Sequence, residues 1–242
     1  MTVDLKGKVA VVTGSSKGIG YAIAEAMVDA GADVVVSARN EAEVKAAAER
    51  LSGRGGGRAL GVPCDVRSAE DVEGLIARTV AEFGGLDVLV NNAGVGSFAP
   101  IDELSIERWQ QILETNLDGV FYACHAAVPH LTERGGGWII NIGSLAGKNP
   151  MPGGTAYNAS KFGLVGFTEA LMLDVRDRDI RVTCLMPGSV ATHFNQNTPG
   201  EKDAWKIQPE DLAEIVLDLL ALPARTLPSR IEIRPTKPPK RQ

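Results

Sequence analysis

The chain has 242 residues, 44% of them hydrophobic, and a formal net charge of -5 at pH 7. That is enough apolar material for one buried core, and the interspersed charges give no basic footprint for nucleic acid. The apolar runs Val9–Val12 and Val34–Val36 are far shorter than the roughly 20 residues that span a bilayer. No signal-peptide cleavage pattern precedes the first of them, so a soluble, cytoplasmic chain without a membrane partner is expected. Cys64, Cys124 and Cys184 stand alone, and His125, His130 and His193 lack metal-ligand spacing; neither a disulfide framework nor a metal site is predicted.

Short β-branched runs alternate with helical-period segments, the pattern of βα units feeding a parallel sheet. Strands are predicted at Lys8–Thr13, Asp33–Ala38, Ala59–Cys64, Leu86–Val90, Trp138–Ile142, Ile180–Leu185 and Ser229–Arg234. Helices are predicted at Ile19–Ala30, Glu41–Leu51, Ala69–Phe83, Ile106–Glu133, Thr155–Arg176 and Pro209–Ala221. Gly31 is a helix stop, Ser68 and Ser105 are N-caps, and Pro209 suits a first helical turn. The expected fold is α/β: a Rossmann-like, doubly wound parallel sheet of about seven strands with helices on both faces, in one domain. Residues 186–208 lack periodicity and are predicted to be a mobile substrate loop. The proline-rich tail Lys237–Gln242 reads as frayed surface.

The first strand runs into Thr13-Gly14-Ser15-Ser16-Lys17-Gly18-Ile19-Gly20 and then a helix. Glycines there permit a tight turn and bring backbone N–H groups to a pyrophosphate at the positive helix end. The spacing, G-x-x-x-G-x-G, resembles the cofactor loop of the short-chain dehydrogenase/reductase family, which implies contacts from Gly14, Ser16, Lys17, Gly18, Ile19 and Gly20.

The second strand ends in Ala38-Arg39 where an NAD site would place an acid for the ribose 2′-OH. A guanidinium grips a 2′-phosphate that a carboxylate would repel, so NADP(H) is the expected cofactor. Lys17 offers a second positive charge, and the pair resembles the basic pair of NADP-preferring family members. After the third strand, Asp65-Val66 is either the family's adenine contact or a turn before the next helix. Asn91-Asn92-Ala93-Gly94 closes the fourth strand, and Asn92, Ala93 and Gly94 are expected against the adenosine side.

Ser144 follows the fifth strand, and Tyr157 and Lys161, four apart, share one face of the next helix. A carbonyl accepting a hydride develops negative charge on oxygen and needs a positioned proton donor. Tyrosine, with a pKa of about 10, needs a neighbouring cation such as Lys161 to take part near neutrality. Ser144 with Tyr157-Asn158-Ala159-Ser160-Lys161 resembles the family's catalytic Ser and Tyr-x-x-x-Lys. The resemblance implies that Ser144 polarises the substrate oxygen, Tyr157 exchanges the proton and Lys161 also holds the nicotinamide ribose. It adds Asn116 as a water-linked relay, for which the residues alone leave a helix cap or kink open. It also places Pro187, Gly188, Val190 and Thr192 around the nicotinamide carboxamide.

The resemblance runs from Thr13 to Thr192, and the 3-oxoacyl-acyl-carrier-protein reductases are the subgroup it suggests first. The ending Arg230-Ile231-Glu232-Ile233-Arg234-Pro235 departs from their glycine-containing close and looks more like reductases of small hydroxy acids, aldehydes or ketones. Leu145, Met151, Phe194 and Trp205 are the expected substrate contacts. A homotetramer or homodimer is expected, packed through Ile106–Glu133 and Thr155–Arg176. The functional expectation is reduction of a ketone, aldehyde or 3-oxoacyl thioester by NADPH, with alcohol oxidation or NADP(H) sensing without turnover as alternatives.

Overall fold

The computed structural model describes residues 3–239; residues 240–242 of the predicted tail lie outside them. Seven strands form one sheet: β1 (Val9–Thr13), β2 (Asp33–Ala38), β3 (Ala59–Pro63), β4 (Val88–Asn91), β5 (Gly137–Ile142), β6 (Ile180–Pro187) and β7 (Arg230–Ile233). Their order is β3-β2-β1-β4-β5-β6-β7 and every pairing is parallel. The helices are α1 (Gly18–Asp29), α2 (Glu41–Ser52), α3 (Ala69–Phe83), α4 (Ile106–Leu113), α5 (Gly119–Glu133), α6 (Thr155–Val175) and α7 (Pro209–Leu220).

The central strands β1, β4 and β5 are largely apolar and buried, because the sheet is covered on both sides. Ala10, Val12, Val34, Val36, Val90 and Ile140 pack with α1 and α7 in one cluster. Their neighbours Val11, Val35, Leu89 and Ile139 pack with α3, α5 and α6 in another. One residue's shift along a strand therefore changes the layer its side chain enters.

Chain reversals follow the expected chemistry. Ser68 and Ser105 accept hydrogen bonds from Asp71 N and Arg108 N, capping α3 and α4. Asn40, not foreseen as a cap, does the same for α2 through Glu43 N. Gly31, at φ 97°, follows α1, and Pro209 opens α7.

One predicted helix needs correction. Ile106–Glu133 is not a single α-helix: a π-helical turn, Glu114–Asp118, separates α4 from α5. Such a turn inserts one residue into the ladder. It coincides with Asn116, whose fully buried amide turns toward the loop after β4, accepting from Val95 N at 2.8 Å and donating to Val95 O at 2.9 Å.

The strand order reverses between β1 and β4, and in open parallel sheets the crevice beyond the carboxyl ends at that point binds ligands. Thr13, Asn91, Ile142 and Pro187 end their strands at this edge.

Candidate active site

The loop Gly14–Lys17 leaves β1 and enters α1 through two left-handed glycines, Gly14 at φ 62° and Gly18 at φ 63°. A Cβ on Gly14 would lie 2.7 Å from Ala93 Cα, and one on Gly20 2.4 Å from Asn92 Nδ2. Only glycine lets this loop approach the end of β4 so closely. Ser15, unremarked in the sequence, stitches the loop to β2: Ser37 N donates to its Oγ at 2.9 Å, and Ser15 N donates to Ser37 O at 2.9 Å. The side chain of Lys17, at the N-cap of α1, makes no capping hydrogen bond, unlike the caps of α2, α3 and α4. Thr192 stands across from Gly18, 3.7 Å from where a Cβ would be. A left-handed glycine cradle, uncapped helix amides and a facing threonine fit the pyrophosphate of a dinucleotide.

Around that cradle the predicted nucleotide contacts divide. Arg39 is exposed, has no ion-pair partner among the described residues, and lines an open hollow with Val62, Pro63, Cys64 and Asp65. Lys17 is less free: its Nζ lies 3.7 Å from Glu43 Oε2, and Ser16 Oγ donates to the same oxygen at 3.1 Å. Asp65 is paired with Arg67, which reaches its carboxylate at 2.6 Å and holds its pKa below the usual value. The Val66 side chain turns into the core, where Gly119 packs close against it. Asn92 binds framework, its amide donating to Thr13 O at 2.9 Å and Gly14 O at 2.8 Å.

Ser144, Tyr157 and Lys161 come together at the carboxyl edge. Ser144 precedes the turn Leu145–Gly147, and its Oγ accepts from Ala146 N at 3.1 Å. Asn158, also unforeseen, ties that turn to α6, donating to Ala146 O and Asn149 O and accepting from Met151 N. Burial pushes the Tyr157 phenol above its ordinary range, and a hydrogen bond with Ser144 works in the opposite direction. Lys161 is 5% exposed, its Nζ donates to Ile142 O at 2.9 Å, and burial lowers its pKa from 10.5 to about 8. That ammonium sits 5.9 Å from the Tyr157 ring centre. A position on Gly94 lies 3.4 Å from Asn116 Oδ1 and 3.9 Å from Lys161 Nζ, so the three residues meet at one point. Asn116 also donates to Ser160 Oγ at 3.0 Å, joining the π turn to α6 between Tyr157 and Lys161.

A sequence model for "short chain dehydrogenase" matches residues 8–203. The chain belongs to the short-chain dehydrogenase family. It is similar to Dehydrogenase/reductase SDR family member 4 of Homo sapiens, 39% identical over 224 residues that cover 88% of this chain and 80% of the human protein. It is 35% identical to a 3-oxoacyl-[acyl-carrier-protein] reductase of Chlamydia muridarum over 83% of this chain and 82% of that one. Among solved structures it resembles an alcohol dehydrogenase from Thermococcus sibiricus complexed with 5-hydroxy-NADP, with a TM-score of 0.90 and 32% identity, covering 97% and 99% of the two chains. This oxidoreductase family uses a nicotinamide cofactor, which the cradle of this short-chain dehydrogenase suits.

The predicted substrate contacts are dispersed. Phe194 lies against Tyr157, ring centres 5.7 Å apart. Met151 is exposed beside Gly154, and Leu145 Cδ1 lies 3.1 Å from a Cβ position on Gly188. Trp205 follows the turn Glu201–Asp203 with its ring near Lys206, and no described aromatic contact joins it to Tyr157. Phe98, which the sequence reading missed, touches Tyr157 from the other loop at 5.6 Å. Its signal was its position: four residues beyond Gly94 at a carboxyl strand edge.

The segment 186–208 is pinned at both ends. Pro187 belongs to β6, Val190 bridges to Ile207, and Ile207 N donates to Ser189 O at 3.1 Å. Pro187 and Gly188 back onto the C-terminal strand, where Gly188 N donates to Ile233 O at 2.8 Å. Among the described residues no helix is long and apolar enough to cross a membrane, and no cluster of three His, Cys, Asp or Glu is suited to a metal.

Proposed function

We propose that this oxidoreductase reduces a carbonyl compound with NADPH, using Tyr157 as proton donor. The observation that carries the reading is the convergence of Ser144, Tyr157 and the buried Lys161 at the carboxyl edge beside the glycine cradle.

NADPH, held in the glycine cradle, would supply the hydride for the carbonyl carbon. Ser144 Oγ holds the carbonyl oxygen and favours the negative charge that grows on it. Tyr157 gives its phenolic proton to that oxygen, so ketone, hydride and proton become an alcohol. Near neutrality Lys161, with a pKa of about 8, is predominantly ammonium, and its charge favours the phenolate that the transfer leaves behind. Asn116 positions Lys161 indirectly, by fixing the Val95 loop and Ser160. The same atoms in reverse oxidise a secondary alcohol. A sensor without turnover has no use for a buried lysine beside a tyrosine.

Preference for NADP(H) rests on Arg39 and Lys17, two cations flanking the place of the adenosine ribose, with no acid at the end of β2. The Thermococcus sibiricus protein, complexed with 5-hydroxy-NADP, adds support. Among substrates, small ketones and aldehydes come before 3-oxoacyl thioesters, since the C-terminal edge departs from the thioester reductases. Exposed Phe121 on α5 and Phe162 and Leu173 on α6 support assembly into a homodimer or homotetramer through those helices. The proposed location is the cytoplasm.

The test is NADPH consumption against a panel holding an acetoacetyl thioester, ketones, aldehydes and a quinone, with Tyr157→Phe alongside. Turnover by the wild type that falls at least about a hundredfold in the variant is expected, the scale of a lost general acid. Equal rates in the two proteins would refute the assignment of Tyr157.

A further inference from the structure

Phe98 and Phe194 are large apolar rings left 43% and 38% exposed on two different loops. Each rests on the same residue. Phe98 meets the Tyr157 ring edge-to-face at 5.6 Å and 66°, and Phe194 meets it tilted at 5.7 Å and 53°, both within the distance range of aromatic pairs. Both rings lie over Gly96, where a Cβ would stand 2.6 Å from Phe194 Cζ and 3.6 Å from Phe98 Cε2, so a side chain there would displace the Phe194 ring.

Both rings are held by their loops. Ala99 N donates to Gly153 O at 2.9 Å, fastening the Phe98 loop to the stretch that leads into α6. Phe194 N donates to Thr192 Oγ1 at 3.3 Å, and Asn197 Nδ2 donates to Thr192 O at 2.9 Å, bracing the other side. Asn195, directly after Phe194, adopts a left-handed backbone at φ 55°. Asparagine tolerates that conformation better than most residues.

We propose that Phe98 and Phe194 form an aromatic clamp on the Tyr157 ring, selecting carbonyl compounds whose reacting carbon carries a flat apolar ring. The proposal rests on the reading of Tyr157 as proton donor. A flat ring beside Tyr157 meets aromatic edges on two sides, while an alkyl chain gains contact area without the ring–ring term. A polar or charged substituent would lose its water there without a hydrogen-bonding partner among these side chains. The clamp thus favours aryl ketones and aldehydes over open-chain carbonyls and the polar arm of a carrier-bound thioester.

The experiment compares acetophenone with 2-octanone, which have equal carbon counts, by NADPH consumption with wild type, Phe98→Ala, Phe194→Ala and Phe194→Leu. Cofactor affinity is followed separately by NADPH fluorescence to show that each variant retains its cradle. The wild type is expected to favour acetophenone in kcat/KM by about tenfold or more, the scale of one to two ring contacts. Each alanine substitution should cut that ratio several-fold, chiefly through KM for acetophenone, and Phe194→Leu should restore bulk without restoring the ratio. A ratio near one in the wild type, or one unchanged in both alanine variants, overturns the clamp. Failure of the wild type to reduce any carbonyl while NADPH binds would instead overturn the reading of the site. The clamp is then decided by calorimetric binding of the same two compounds to the NADP-loaded protein. A wild-type preference for acetophenone that falls in Phe98→Ala upholds it, and equal affinities overturn it.

Discussion

Lys161→Met should remove a pH dependence of stability that only a buried lysine produces. Lys161 is 5% exposed, and burial lowers its pKa from 10.5 to about 8. Between those values the unfolded chain holds a proton at this position that the folded chain does not, so unfolding free energy rises with pH in that window. Below about pH 8 the folded protein carries the full cost of a buried charge, and above about pH 10.5 neither state carries it. At 1.36 kcal/mol for each factor of ten, the whole change is about 3 kcal/mol. The assay is urea denaturation of wild type and variant at several pH values from about 7 to 10, with the difference between the two proteins plotted against pH. Taking the difference cancels contributions of groups remote from Lys161, and Tyr157, whose raised pKa acts with the opposite sign, titrates at still higher pH. The lost hydrogen bond to Ile142 O offsets the difference by a constant and leaves its change with pH untouched. Wild type should gain about 2–3 kcal/mol relative to the variant across this range. A flat difference would mean that Lys161 keeps a solvated pKa in the fold, and the buried-ammonium account would fail.

Glu43→Gln should tighten NADP⁺ binding about three- to fivefold at low salt while leaving NAD⁺ nearly unchanged. The substitution frees Lys17 from a carboxylate 3.7 Å away and removes a negative charge close to the proposed 2′-phosphate position. Calorimetric titration at two ionic strengths checks this, and an equal change for both nucleotides would show that Glu43 acts only on the loop's shape. Gly20→Ala should lower NADPH affinity at least about tenfold and cost about 1–3 kcal/mol of stability, the scale of overpacking a close contact. Its new Cβ would fall 2.4 Å from Asn92 Nδ2 and 2.6 Å from Gly14 O. Fluorescence titration with thermal melting reads both effects, and wild-type affinity in the variant would contradict the close fit of the cradle.

Much of the fold was legible because the sheet is covered on both faces. Apolar runs such as Val9–Val12 serve both layers, and their alternation with helical segments gives the strands and their parallel character directly. The glycine loop was legible because a backbone approach this close excludes any side chain, which leaves a mark in the sequence. Amides and carboxylates leave no comparable mark. Asn92 and Asp65 are expected as ligand contacts at a strand edge, and the fold adds side-chain hydrogen bonds to Thr13, Gly14 and Arg67. Partners like these are separated along the chain or compete locally, so residue type alone does not select among them. Phe98 was missed for a related reason: an apolar residue in a loop has no periodicity, and its contact with Tyr157 is made by the tertiary fold.

The π turn is the clearest case of local preference yielding to the site. By propensity Ile106–Glu133 reads as one helix in which Asn116 is merely unfavourable. The inserted residue instead brings a fully buried amide to Val95 and Ser160 and opposite Lys161, three groups from separate stretches of chain. Asn116, Asn158 and Ser160 are all buried, and their hydrogen bonds fasten α6, the helix that carries Lys161, to the π turn and to the turn after Ser144. An unpaired buried polar group is costly, so each of these bonds restricts the positions its neighbours can adopt. The rigidity that results holds Tyr157 and Ser144 at one distance from the cradle, and the desolvation of Lys161 is the cost the fold carries for it. Surroundings that were easier to fold, with an unbroken helix and an apolar residue at position 161, would leave Tyr157 without a nearby cation.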